Sequence, residues 1–344
     1  MYQNDRLLRA CRRQPVDTTP VWIMRQAGRY LPEYRAVRGK TTFLGLCKTP
    51  ELAAEVTVQP VDLIGVDAAI LFSDILVPVE AMGMELQFLE HEGPKLPQPV
   101  RTADDVRKLA VFDPADRTPF TLDAIRATVK ALGGRVPLLG FAGAPFTLAA
   151  YMVEGQTSRS WLGVRRMMAQ EPALARELFE KVTEMITRYL LAQIEAGCAA
   201  VQLFDSWGGE LGPRDFEEWS LPYLTRIVQA VKGKAPVILF GTGMSTLLSR
   251  MKRTGADVIG LDWRIELDVA RDLLGPDVAV QGNLDPTALF LPFEEITDRV
   301  EDVIRRNAGR PGHIFNLGHG ITPPTDPEAA RHLVREVHRL GRTA

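Results

Sequence analysis

Eight short apolar runs, separated by helical patterns and ending in polar or glycine-rich tips, predict an α/β, single-domain (β/α)8 barrel. The runs are VWIM (21–24), AAILF (68–72), VPLLGF (136–141), AAVQLF (199–204), PVILF (236–240), DVIGL (257–261), VAVQG (278–282) and HIFNLG (313–318). They are continuous rather than alternating, the pattern of strands covered on both faces of a parallel sheet. The 344 residues are enough for one such barrel with insertions, so residues 1–344 are read as one domain. A doubly wound open sheet is the alternative, because periodicity does not reveal closure.

The elements follow in order. VWIM runs directly into MRQAGRYLPEYRAVRGK (24–40), which sets Arg25, Arg29, Arg35, Arg38 and Lys40 against the single acid Glu33. AAILF ends in FSDIL. The uncharged stretch 136–153 approaches membrane-span length, but Pro137, Gly140, Gly143 and Pro145 interrupt it, so it reads as a buried strand, a loop and a helix start. Apolar residues at Leu174, Leu178, Val182, Met185 and Ile194 predict a helix from Glu171 to Gly197. Phe216, Trp219, Tyr223, Ile227 and Val231 predict another over 213–234, with Pro213 near its start and Gly233 closing it. The last runs leave room for one helix each.

Composition excludes several classes. A net charge of −2 provides no general basic surface for tracking nucleic acid. The start, MYQNDRLLRACRRQPVD, has no apolar signal core. Cys11, Cys47 and Cys198 are scattered with no CxxC spacing, which fits reduced thiols and a soluble cytoplasmic protein. No HExxH or compact His/Cys group predicts a metal site. LFGTGMST lacks the Lys-Ser/Thr of a phosphate loop.

In a barrel of this kind the chemistry sits at the C-terminal ends of the strands. The tips there are MRQAGR, FSDIL, GFAGAP, LFDSW, LFGTG, GLDW, QGNLDP and LGHG. The arginines after the first run are either a solvated helix face or a clamp for a substrate with several carboxylates or phosphates, and their position at a strand tip favours the clamp. Asp74 is either a helix cap or a carboxylate placed to stabilise developing positive charge. Asp205 and Ser206 form a second polar tip, where the serine reads as a hydrogen-bonding group because FDSWGG lacks the GxSxG elbow. His319, between glycines, is either a turn residue or a site residue. His91, His313, His332 and His338 read as peripheral. Tyr151 is a core aromatic whose hydroxyl needs a partner if buried, which a mouth carboxylate would supply.

Taken together, the tips resemble the uroporphyrinogen decarboxylase family. The stretches that carry the resemblance are PVWIMRQAGRYLPEYR, CKTPELAAEVTVQP, DAAILFSDILVP, GRVPLLGFAGAPFTLAAYMVEG, QLFDSWGG, GLDW, QGNLDP and NLGHGI, spanning residues 20–321 in the family's order. One departure is VDLIGVDAA (61–69), where relatives often carry basic residues before the Gly-Val-Asp; it falls on a helix face. The resemblance implies a homodimeric (β/α)8 barrel without cofactor or metal. It implies removal of the four acetate carboxyls of uroporphyrinogen, giving coproporphyrinogen and carbon dioxide in haem and chlorophyll biosynthesis. It assigns Arg25, Arg29 and Arg38 to the substrate side chains and Asp74 to the pyrrole N–H groups. Tyr151, Ser206 and His319 complete the implied site, with Phe204 near the macrocycle; Asp74, Arg25, Tyr151 and His319 are its catalytic set. Guanidinium forks suit carboxylates in a way that lysine does not match. Three other readings share parts of this pattern: a zinc-dependent methyltransferase, a non-catalytic polyanion-binding protein, and an enzyme of phosphorylated sugars.

Overall fold

The structure, a computed structural model, describes residues 2–89 and 93–342; His91 lies outside them. Among these residues seven parallel strands form one sheet in chain order. They are β1 (Ala69–Ile70), β2 (Leu138–Gly143), β3 (Ala200–Asp205), β4 (Val237–Gly241), β5 (Val258–Gly260), β6 (Ala279–Gln281) and β7 (His313–Ile314). Each coincides with a run read from the sequence.

The remaining run closes the ring. Val21 bridges Phe315 in parallel; on that side the Phe315 N–H donates to the Pro20 carbonyl at 2.8 Å. On the other side Asp67, just before β1, donates its N–H to the Val21 carbonyl at 2.8 Å, while its carboxylate accepts the Val21 N–H at 2.7 Å. Residues 20–24 thus occupy the eighth position, between β7 and β1. The fold is a single-domain (β/α)8 barrel.

Alternation along the strands builds two layers of core. Leu139, Ile238, Phe240, Val258 and Ile314 point into the barrel with Trp22, while Val237, Leu239 and Ile259 pack outward against helices. Complete burial of such a side chain contributes about 1.5–3 kcal/mol. A polar thread crosses the interior: the Trp22 indole donates to Gln281 at 2.9 Å, and Gln281 donates to Gln202 at 3.0 Å. Because both amides are buried, these bonds are what makes their burial tolerable.

Below the strands, Asp67 ties the bottom of the barrel together, accepting bonds from Asn4, the Val21 N–H and His338. Burial alone would raise its pKa; these bonds outweigh it and hold the carboxyl below its ordinary value. The helices that matter for the mouth are α1 (Pro32–Arg38), α2 (Pro50–Leu63), α3 (Pro145–Glu154) and α4 (Pro172–Ala196). Each begins with proline, whose fixed φ and missing N–H suit a first turn.

The helix expected over 213–234 is two, α5 (Pro213–Trp219) and α6 (Leu221–Val231). Ser220 leaves the helical path (φ −122°, ψ −52°) and turns its hydroxyl to Asp205 Oδ2 at 3.1 Å, just ahead of Pro222. Apolar spacing continues across such a break and so does not reveal it. No helix among the described residues is long and apolar enough to cross a membrane.

Candidate active site

The first tip is shaped by a buried glutamine. Gln26 accepts the Ile23 N–H at 2.9 Å and donates to the Ala68 carbonyl at 2.9 Å, fixing a tight turn after the closing run. Arg25, at the apex, takes φ +62°, a left-handed conformation uncommon for a bulky residue, and is exposed over the mouth. Arg35 donates to the carbonyls of Arg29 (2.7 Å) and Tyr30 (3.1 Å), so it braces the segment that carries Arg29 and does not join the mouth. Lys40 and Glu33 line a separate groove against α2. The positive run therefore divides into candidate clamps and supports. Arg25, Arg29 and Arg38 have no carboxylate within ion-pair reach among the described residues, which leaves their charge for a ligand; Arg38 is steadied by its bond to the Thr41 carbonyl. Arg29 and Arg38 both act electrostatically on Tyr34, and Arg38 and Asp74 both act on the buried Cys47 thiol.

Asp74 is a turn residue beyond β1. Its Oδ1 accepts the Leu76 N–H at 2.9 Å, as a turn residue should. Its Oδ2 takes no bond from the described residues. The residue is half-buried, with protein packed around its carboxyl. Burial raises its pKa, opposed by the Leu76 N–H and the Arg25 guanidinium.

Tyr151 lies on α3, and its pKa is raised mainly by burial. Asp74 and Arg25 both reach it electrostatically, and Thr157 and Trp207, not the expected mouth carboxylate, stand beside its hydroxyl. His319 follows β7 and is half-buried. Burial, then Arg25 and Arg264, depress its pKa to about 4, so the imidazole is neutral near pH 7. It packs edge-on to Trp263 at 6.4 Å. Arg25 is thus the common electrostatic neighbour of Asp74, Tyr151 and His319.

Parity along β3 sorts its tip. Phe204 faces inward with Phe141 and Phe240, at 5.6 and 6.1 Å between ring centroids. Ser206, two residues on, is half-buried and makes no hydrogen bond among the described residues. Asp205 faces the other way. It is fully buried, bonded by Thr147 at 2.9 Å and Ser220 at 3.1 Å, and burial pushes its pKa to about 6. It is a support and not the polar tip its sequence position indicated. In LFGTG the Gly243 N–H is already given to Asp262 at 2.6 Å, so it cannot cradle a phosphate. Among the described residues no three His, Cys, Asp or Glu side chains are grouped to hold a metal ion.

The family profile described as uroporphyrinogen decarboxylase (URO-D) matches residues 2–340. The chain belongs to the uroporphyrinogen decarboxylase family. A relative named uroporphyrinogen decarboxylase in Myxococcus xanthus is 63% identical over 339 residues, covering 98% of this chain and 97% of its own. Another of that name, from Trichlorobacter lovleyi, is 58% identical over 339 residues, covering 98% and 99%. Membership makes this chain a decarboxylase. Among solved structures, a methyltransferase from Methanosarcina mazei superimposes with a TM-score of 0.81 at 22% identity, covering 98% of both chains. At that identity the likeness shows the fold alone.

Proposed function

We propose that this decarboxylase removes the four acetate carboxyls of uroporphyrinogen, giving coproporphyrinogen and four carbon dioxide molecules. The observation that carries the reading is the grouping of Asp74, Tyr151 and His319 around Arg25. Uroporphyrinogen presents eight carboxylates around an apolar macrocycle, so cations at the rim and one anion within match its charge pattern.

In each cycle a proton adds to a pyrrole α-carbon and leaves a cationic, iminium-like ring. The bond to the acetate carboxylate then breaks, its electron pair flows into the ring, and carbon dioxide departs. The resulting exocyclic carbon takes a proton to become methyl, and loss of the α-proton restores the pyrrole. Asp74, ionised, stabilises the cation, because a fixed charge in a sheltered cleft needs no reorganisation when positive charge develops. Its open Oδ2 is the acceptor offered to the pyrrole N–H groups.

Arg29 and Arg38 grip carboxylates that do not react. A tight pair with the departing carboxylate would favour the ground state and slow the step. Arg25 belongs to the catalytic set and holds Asp74 towards its charged form. A guanidinium is a poor proton donor, and neutral His319 acts as a hydrogen-bonding group, not as an imidazolium acid. Tyr151 and Ser206 orient the substrate, with Phe204 against the macrocycle. A cytoplasmic homodimer of barrels, each spanning residues 1–344 with its cleft at the strand C-termini, completes the proposal; equilibrium sedimentation checks the dimer. The decisive assay is anaerobic incubation of metal-free protein with uroporphyrinogen, followed by counting carboxyls on the products. Tetracarboxylate product is expected, and unchanged octacarboxylate would overturn the reading.

A further inference from the structure

Beside Tyr151 stands an aromatic wall containing a donor that the reaction above does not use. Trp207 follows Ser206 beyond β3, and its ring lies 4.6 Å from that of Trp161 and 6.1 Å from that of Tyr151; Trp161 and Tyr151 are 5.1 Å apart. Trp161 is fully buried on a left-handed backbone (φ +50°), so the trio is held from behind. The Trp207 Nε1 is buried and makes no hydrogen bond. Native proteins rarely leave a buried donor unmade, and such a group calls for a reason.

The reason is visible in its neighbour. Trp207 stands beside Tyr151, the two rings tilted at 65° with centroids 6.1 Å apart, while Asp74 and Arg25 reach the Tyr151 hydroxyl electrostatically. A phenol both donates and accepts. When its oxygen accepts from the wall, its proton is aimed away from the wall and into the cleft. Catalytic hydrogen bonds are often long in the free enzyme and tighten when substrate binds.

We propose that Trp207 is a positioning residue: in the substrate complex its indole N–H donates to the Tyr151 oxygen and so directs the Tyr151 proton towards the reacting ring beside Asp74. This rests on the proposed role of Tyr151 in the cleft. Trp161 supplies the stacking surface that fixes the plane of the indole.

The test replaces Trp207 with benzothienylalanine, which keeps the shape but has sulfur in place of the N–H. It is made in the native chain and in Tyr151→Phe, with kcat and KM for uroporphyrinogen and thermal unfolding measured in each. Loss of one aimed hydrogen bond is expected to lower kcat about tenfold in the native background, with KM within about twofold and melting unchanged. In Tyr151→Phe the same replacement should cause no further loss. An unchanged kcat in the native background, or an equal loss in both backgrounds, overturns the proposal. If Tyr151→Phe alone turns over like the native chain, the premise about Tyr151 fails, and the single-variant measurement identifies that failure separately.

Discussion

The side chain of Arg25 lies across the α-carbon of Gly320: a β-carbon at residue 320 would meet Arg25 Cδ at 2.3 Å and Nε at 2.9 Å. The two residues come from opposite ends of the sequence, and the Ile321 N–H donates to the Met24 carbonyl at 2.9 Å beside them. Two residues earlier, a β-carbon on Gly318 would meet the backbone nitrogen of Trp263 at 2.4 Å. The first and last tips therefore touch where the Arg25 side chain packs on the bare α-carbon of Gly320.

These two glycines should fail differently. Gly320→Ala pushes on a flexible side chain, so Arg25 moves; kcat/KM should fall at least about tenfold while the melting temperature barely changes. Gly318→Ala pushes on backbone, and overpacking of that kind costs about 1–3 kcal/mol, a drop of several degrees in a melt. Matching activity and stability losses in the two variants would contradict the assignment of Gly320 to the site.

Asp74→Asn keeps an oxygen to accept the Leu76 N–H, so the fold should be preserved. Removing one preorganised electrostatic group typically lowers kcat about 10²–10³-fold. We expect that loss in carboxyl counts, with substrate affinity changed only a few-fold. Decarboxylation at the native rate would eliminate the cation-stabilising role.

The pH profile carries a signed expectation. Asp74 must be ionised, burial raises its pKa, and Arg25 opposes the rise. Activity should therefore fall on the acid side as Asp74 takes up a proton. Arg25→Met removes the opposing charge, so that acid limb should move to higher pH. Because burial holds His319 at about 4, His319→Gln should not remove a limb near pH 6.5. A profile that ignores residue 25 would show that Asp74 is not the group being titrated.

Stability should respond to acid through His313, which is 4% exposed. Its Nε2 bonds the Gly282 carbonyl at 2.8 Å, and burial lowers its pKa from 6.5 to about 4, with Arg271 adding to the effect against that bond. Between those values the unfolded chain accepts a proton that the folded chain refuses, so stability falls as pH falls through the window. The loss amounts to roughly 3 kcal/mol once pH is below the folded value. Gln at 313 can still donate to Gly282, and denaturant melts of His313→Gln should show a flatter decline from pH 6.5 to 4.

Much of this was readable in the chain. All eight apolar runs are the eight ring positions, because a doubly covered strand needs an unbroken apolar sequence. Asp74, Arg25 and His319 were readable as strand-tip residues. Other features were not readable, each for a physical reason. Asp205 was misread because its direction depends on strand parity, which shifts with register. The kink at Ser220 was hidden because apolar spacing is the same on both sides of it. The neutral state of His319 depends on burial among groups distant in sequence. Trp207 was present in FDSWGG all along, but an indole in a motif does not announce that its N–H lacks a partner. Arg35 and Lys40 show the same limit, since charge alone does not distinguish a brace or an outward-facing side chain from a clamp.

Ring closure by residues 20–24 has a consequence during synthesis. A chain still emerging from the ribosome already carries Arg25 and Arg29, yet Pro20 and Val21 must wait for Phe315, and Arg25 for the glycine beneath it. Until then the growing sheet has two open edges, which are prone to pair with other chains. A stop codon anywhere before residue 313 should therefore yield a substrate for proteases and not a feeble catalyst.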